Sequence, residues 1–141
     1  MITLADYLMG RREQHALSYS PDIEREALRT VELANQLLST AQAAGVTLER
    51  NPRTGSLVSS GWRPPAINES TPGAAVRSLH MTGQAVDLYD PDGDLDDWLM
   101  SDGGQSELAR LGLWLEHPAA TKGWAHLQTK PPRSGRRVFY P

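Results

Sequence analysis

The longest regular pattern in the chain is a stripe of apolar residues at steps of four and three: Ile23, Ala27, Val31, Ala34, Leu38 and Ala41. That spacing keeps one face of an α-helix apolar. Ser20-Pro21-Asp22 marks its start, with a capping hydroxyl, a proline in the first turn and an acid at the positive end of the helix dipole. Gly45 stops it and Val46 folds back on it. Thr3 and Asp6 have the spacing of a capping box for a short preceding helix that Gly10 ends. The polar run 11–19 reads as a loop.

Past Gly45 the period changes. Asn51-Pro52-Arg53-Thr54-Gly55 is a turn, and residues 56–62 and 84–89 read as strands. Between them lies a loop rich in Pro, Asn, Ser, Thr and Gly, over 63–77, where a helical turn fits at 71–76. A loop of that length inside one domain is often functional. Asp94 is placed to cap a helix carrying Leu95, Trp98 and Leu99. Residues 106–111 form another helix, ended by Gly112. Residues 113–117 and 124–128 read as a hairpin joined by 118–123, and 131–141 as a turn-rich basic tail. Helices and strands are segregated, so the class is α+β, with a small antiparallel sheet and helices on one side. The chain reads as a single domain over 1–141: a helical part (1–45), a core carrying the candidate chemistry (46–130) and the tail.

Composition excludes several functions. The chain has 141 residues, 39% hydrophobic and 22% charged, with a formal charge of −3 and no cysteine. No broad basic surface for nucleic acid is implied. Thiolate ligands, a cysteine nucleophile and disulfides are ruled out. No run of about 18 apolar residues suggests membrane insertion, and Met1 to Asp6 lack the pattern of a secretory signal.

The candidate chemistry lies in three pieces: Ser60-Gly61-Trp62-Arg63-Pro64, Ser78-Leu79-His80-Met81-Thr82-Gly83-Gln84-Ala85-Val86-Asp87, and Trp124-Ala125-His126-Leu127. Strand parity puts Asp87 opposite the core-facing Val86 and Leu88, and His126 on the face away from Ala125 and Leu127. Gly83 lets the chain reverse between His80 and Asp87. Three N and O ligands with a fourth position left for water is the donor set of catalytic zinc sites. On spacing alone, the same residues are also compatible with ordinary surface or capping groups. Asp90, Asp92, Asp94 and Asp96 alternate as in a calcium loop, but Leu95 stands at the required glycine and Ser101 at the required glutamate. Trp62, Trp114 and Trp124 are candidates to line a groove, while Trp98 fits a helix core stripe.

The motif Ser78-x-His80-x-x-Gly83-x-Ala85-x-Asp87, with Trp124-x-His126 after it and Ser60-Gly61-Trp62-Arg63-Pro64 before it, resembles the M15 family of zinc peptidases. These comprise D-alanyl-D-alanine carboxypeptidases and phage peptidoglycan endopeptidases, and share a fold with the Hedgehog signalling domain. The resemblance covers about residues 56–128. It implies zinc held by His80, Asp87 and His126, with peptidoglycan stem peptides as substrate. Many members carry a glutamate three residues before the last histidine, or a histidine two before it. Here Gly123 and Trp124 stand there.

Parity places Glu116 on the same side as His126, which makes it the favoured base over His117. Arg63 is expected to share the developing charge or to grip a substrate carboxylate, Ser78 to orient backbone or substrate, and Trp124 to contact substrate. The expected protein is a monomeric peptidase made in the cytoplasm and acting at the cell wall, after release or as part of a phage particle. The alternative is a zinc-containing binding or structural module without catalysis.

Overall fold

The computed structural model describes all residues from Met1 to Pro141. The elements are α1 (Leu4–Leu8), α2 (Arg11–Gln14), α3 (Pro21–Ala43), β1 (Val58–Ser60), α4 (Pro65–Ser70), β2 (Ala85–Asp90), α5 (Asp94–Met100), α6 (Asp102–Leu111), β3 (Trp114–Glu116), β4 (Gly123–Gln128) and β5 (Val138–Phe139). Single 3-10 turns occur at Ala16–Ser18, Leu79–Thr82 and Pro118–Ala120. The class is α+β. The five strands form one sheet in the order β1-β2-β4-β3-β5.

The expected start of the long helix holds: the Ser20 hydroxyl accepts from the Ile23 N–H, and Pro21 opens the helix. Thr3 and Asp6 form a reciprocal capping box on α1. Ala27, Val31, Ala34, Leu38 and Ala41 of the apolar stripe are buried, joined by Thr30 and Leu37. They share a single core with Val58, Val86, Leu88, Ala125, Leu127 and Leu115 of the sheet. The other face of the sheet carries the candidate chemistry.

Several local expectations are corrected. Residues 11–14 are a short helix, not part of a loop. The helix in the 63–77 loop spans Pro65–Ser70, earlier than expected, because Pro64-Pro65 fixes the backbone for a helix start. Asp94 does not cap α5. The Asp90 carboxylate does, accepting from the backbone N–H groups of Leu95 and Asp96. Helix α6 starts at Asp102, with Ser101 as its cap. The sheet is mixed, since the C-terminal segment adds β5 parallel to β3.

Candidate metal centre

The His80 imidazole sits on the Leu79–Thr82 turn, which Ser78 opens by accepting from the His80 N–H. The turn ends at Gly83, whose φ is +77°. A Cβ at Gly83 would lie 2.9 Å from the Ile23 carbonyl oxygen and 3.1 Å from the Ala27 nitrogen. Glycine is therefore needed twice, for the left-handed backbone and for contact with α3. The Thr30 hydroxyl of α3 donates to the Gly83 carbonyl at 2.7 Å. The longest helix thus holds the turn between the first two candidate ligands.

The third comes from the sheet register. Asp87 on β2 lies opposite His126 on β4. The ligand atoms of His80, Asp87 and His126 all fall within 4.8 Å of one another, so the three are close enough to hold a metal ion. His126 Nδ1 is 2.8 Å and His80 Nε2 3.3 Å from Asp87 Oδ1. The register continues across the sheet. Ser60 lies opposite Asp87 past an irregularity in β1. Leu115 pairs with Leu127, so the next residue along, Glu116, falls opposite His126. Glu116 in turn pairs with Phe139.

The hydrogen bonds around the triad fix its tautomers. His80 Nδ1 lies 2.8 Å from the Gly61 carbonyl oxygen, an atom that only accepts. His80 Nδ1 therefore carries the proton, and Nε2 presents a lone pair. His126 Nε2 is 3.2 Å from Gln128 Oε1. The Gln128 amide is oriented by its own N–H donation to the Lys130 carbonyl at 2.9 Å. His126 Nε2 therefore donates, and in the neutral ring Nδ1 presents its lone pair to Asp87. His80 Nε2 is buried and has no hydrogen-bond partner. With both rings neutral the two imidazole lone pairs and the carboxylate repel; a proton on His126 Nδ1, donated to Asp87 Oδ1 at 2.8 Å, or a metal ion in its place relieves this. This arrangement, with the far nitrogen of each ring donating to an amide oxygen, is how metal-binding histidines are usually held.

The ionisation behaviour follows. Burial lowers the His80 pKa, against the opposing pull of Asp87. Burial also acts to lower His126, but the hydrogen bond and charge of Asp87 prevail and raise it. Asp87 is held well below the usual carboxylate range: burial opposes this, and the two imidazoles outweigh it. Glu116 is raised, first by burial and then by the Asp87 charge, with His126 acting the other way. Its carboxylate is half-buried on the face of the triad.

Arg63 is buried, only 8% exposed, and takes part in no ion pair. Its Nε has no partner, and one terminal nitrogen meets the Ser78 hydroxyl at a long 3.4 Å. Its backbone N–H donates to the His80 carbonyl. A desolvated guanidinium beside the triad, with donors to spare, is a ready anion contact. Ser78 links the Arg63 head to the His80 turn. Trp124 lies opposite Tyr89, on the face of the triad and one step along from it.

Other expectations do not hold. Trp62 does not line a groove. It is fully buried, donates to the Met81 carbonyl and meets Tyr19 edge-on. His117 accepts from the Ala119 N–H and stacks on Tyr140, away from the triad. Sequence reasoning missed Gly61, whose carbonyl has no side-chain signature, and Phe139, on a segment with no strand pattern. Gln128 carried one signal, its place two residues after His126 on the same face.

In comparisons with known proteins, no protein family, no curated protein and no solved structure matches this chain. The site therefore rests on its own geometry. No helix is long and apolar enough to cross a membrane.

Proposed function

We propose that the protein is a zinc-dependent peptidase of the M15 type, with a Hedgehog/DD-peptidase-like fold, acting on peptidoglycan stem peptides or cross-links at the cell wall. The observation that carries this reading is the pair of imidazoles whose lone pairs are turned onto Asp87 by the Gly61 carbonyl and the Gln128 amide. His80 Nε2, Asp87 and His126 Nδ1 would hold the ion. Zinc–ligand bonds near 2.0–2.1 Å in a tetrahedron separate ligand atoms by about 3.3 Å; His80 Nε2 and Asp87 Oδ1 stand 3.3 Å apart, while the 2.8 Å hydrogen-bond distance from His126 Nδ1 to Asp87 Oδ1 would have to open. Zinc bound there would lower the pKa of its water and polarise a carbonyl.

The chain's own groups supply the rest. Glu116, opposite His126 and with its pKa raised, is placed to take a proton from the attacking water and hand it to the leaving amine. Arg63 offers its unpaired guanidinium to a substrate carboxylate or to the oxygen on which charge develops. Ser78 holds the Arg63 head and the His80 turn in one arrangement. Trp124 offers an aromatic surface to the substrate from the next row of the sheet.

Gly123 favours a second reading, a zinc-holding module without turnover. Its φ of +99° belongs to a backbone that a glutamate adopts only with strain, so the usual base position of the resembled family is closed.

One experiment separates the readings. The purified protein is assayed for metal by mass spectrometry and for release of peptides from peptidoglycan, beside Glu116→Gln and His80→Ala. The peptidase reading expects one zinc per chain and hydrolysis in the wild type. Glu116→Gln should keep its zinc and lose turnover by about 100-fold or more, and His80→Ala should lose the metal. Stoichiometric zinc with no hydrolysis supports the binding module. Metal content unchanged in His80→Ala refutes the site.

A further inference from the structure

The C-terminal strand brings an aromatic ring to the triad. Phe139 on β5 pairs with Glu116 on β3, and β3 pairs with β4, which carries His126. Neighbouring strands are about 4.8 Å apart, so Phe139 starts about 10 Å from His126. The two ring centroids are nevertheless 6.3 Å apart, edge to face at 82°. The Phe139 ring leans across the position of Glu116 toward the triad.

The segment is pinned in that place. The Leu115 N–H donates to the Arg137 carbonyl at 2.9 Å, and the His117 N–H to the Phe139 carbonyl at 2.7 Å. Arg137 donates to the Leu113 carbonyl and lies 4.6 Å over the Trp114 ring. Tyr140 stacks on His117. Val138 packs against the core, while its neighbour Phe139 is half-buried and does not. Core packing therefore does not account for the Phe139 ring. On the His80 side of the triad, Arg63 reaches the Ser78 hydroxyl and takes part in no ion pair. The triad thus has a cation by its His80 turn and an aromatic ring against His126.

Resting on the peptidase reading, we propose that Phe139 is a specificity-determining residue. Its ring walls the subsite for the side chain of the substrate residue that supplies the scissile carbonyl, and selects a small or aliphatic group there. Arg63 holds the carboxylate on the far side of the bond. A polar or acidic side chain at that subsite loses water without gaining a donor from the ring, and meets the negative charge of Glu116 as well.

The test uses two peptides, N-acetyl-L-lysyl-D-alanyl-D-alanine and its analogue with D-aspartate in place of the first D-alanine. Wild type, Phe139→Ala and Phe139→Leu are compared in kcat and KM. Binding of the same peptides to the metal-free proteins is followed by titration calorimetry, and thermal melting checks folding. The wild type should favour the alanine peptide by about tenfold or more, chiefly in KM. Phe139→Ala should lose most of that preference in both KM and Kd, and Phe139→Leu should keep it. A preference unchanged in a folded Phe139→Ala, or no preference in an active wild type, overturns the subsite alone. A wild type that neither cleaves nor binds either peptide overturns the subsite, while release of peptides from peptidoglycan decides the peptidase reading separately.

Discussion

Gly61→Ala tests whether the first helix and the candidate metal centre are mechanically joined. Gly61 sits where β1 leaves the sheet, and its carbonyl is the acceptor that sets the His80 tautomer. A Cβ at this position would lie 1.9 Å from the Tyr7 carbonyl oxygen and 2.9 Å from the Tyr7 ring. The oxygen contact is roughly 1.5 Å short of the 3.4 Å at which ordinary contact begins. Neither neighbour yields easily. Tyr7 is fully buried, its carbonyl accepts from the Trp62 N–H, and its hydroxyl donates to the Ala85 carbonyl at 2.8 Å. The strain is relieved by parting α1 from the Gly61–Trp62 backbone. Overpacking of this kind costs about 1–3 kcal/mol, and a weakened buried hydrogen bond adds about 1 kcal/mol. Urea unfolding should show the loss in its midpoint with an unchanged slope. The same movement draws the Gly61 carbonyl from His80 Nδ1, and loss of such an orienting partner typically lowers metal affinity about 10–100-fold. Competition against a chromogenic chelator, below the unfolding transition, measures that term separately. A folded Gly61→Ala protein that binds zinc as tightly as the wild type would refute the claim that this carbonyl orients His80.

Three further outcomes follow from the same geometry. Gln128→Leu removes the acceptor of His126 Nε2–H and should weaken zinc binding about 10–100-fold by chelator competition, with Gln128→Glu restoring it. Equal affinity in Gln128→Leu would contradict the assigned tautomer. Tyr7→Phe leaves the Ala85 carbonyl without its 2.8 Å donor and should lower the unfolding free energy by about 1–2 kcal/mol; a midpoint within error of wild type would count against that bond. Asp96 is buried, has an unpartnered Oδ1, and is pushed up from 3.8 to about 7 by burial first and then by Asp90 and Asp97. The folded state therefore holds a proton that the unfolded chain releases, and stability falls as pH rises from about 4 to about 7. Asp96→Asn should match the wild type in thermal melting at pH 4 and exceed it at pH 8, by about 1–2 kcal/mol once solvent screening of the carboxylate is discounted. An equal gain at both pH values would refute the assignment.

What the sequence made legible was set by periodicity and by residue chemistry. The 3.6-residue stripe and the Ser20-Pro21 start located the long helix, because both are local. Parity placed Asp87 and His126 on the open face, because β2 and β4 alternate cleanly and pair along six residues. Glu116 falls on that face because Leu115 of the short β3 pairs with Leu127 of β4. Parity failed where the partner was a backbone atom or an unpatterned segment. The Gly61 carbonyl, the Asp90 cap on α5 and the docking of Val138–Phe139 beside β3 each depend on tertiary approach. Trp62 was misread because an indole followed by Arg-Pro-Pro looks like groove lining. Its burial comes from α1 and the Leu79–Thr82 turn closing over it, which no local pattern encodes.

The five strands divide the work across one row of the sheet. Ser60, Asp87, His126, Glu116 and Phe139 follow one another from edge to edge in the order β1-β2-β4-β3-β5. Neighbours in such a row are about 5 Å apart, so a change of register by one residue in any strand would send its member to the core face. The core therefore guards the chemistry: Val86, Leu88, Ala125, Leu127 and Leu115 alternate with the row and fix its register by their burial. His80 alone stands outside the row. It reaches Asp87 from the turn that Gly83 and Thr30 fasten to α3. Because this candidate ligand comes from a separate element, the triad reports on whether the turn and the sheet are docked. In a folded variant that keeps the three side chains and the Gly61 and Gln128 acceptors, loss of metal binding would point to failure of this docking, and a Thr30→Val protein with native strand pairing is where the two become separable.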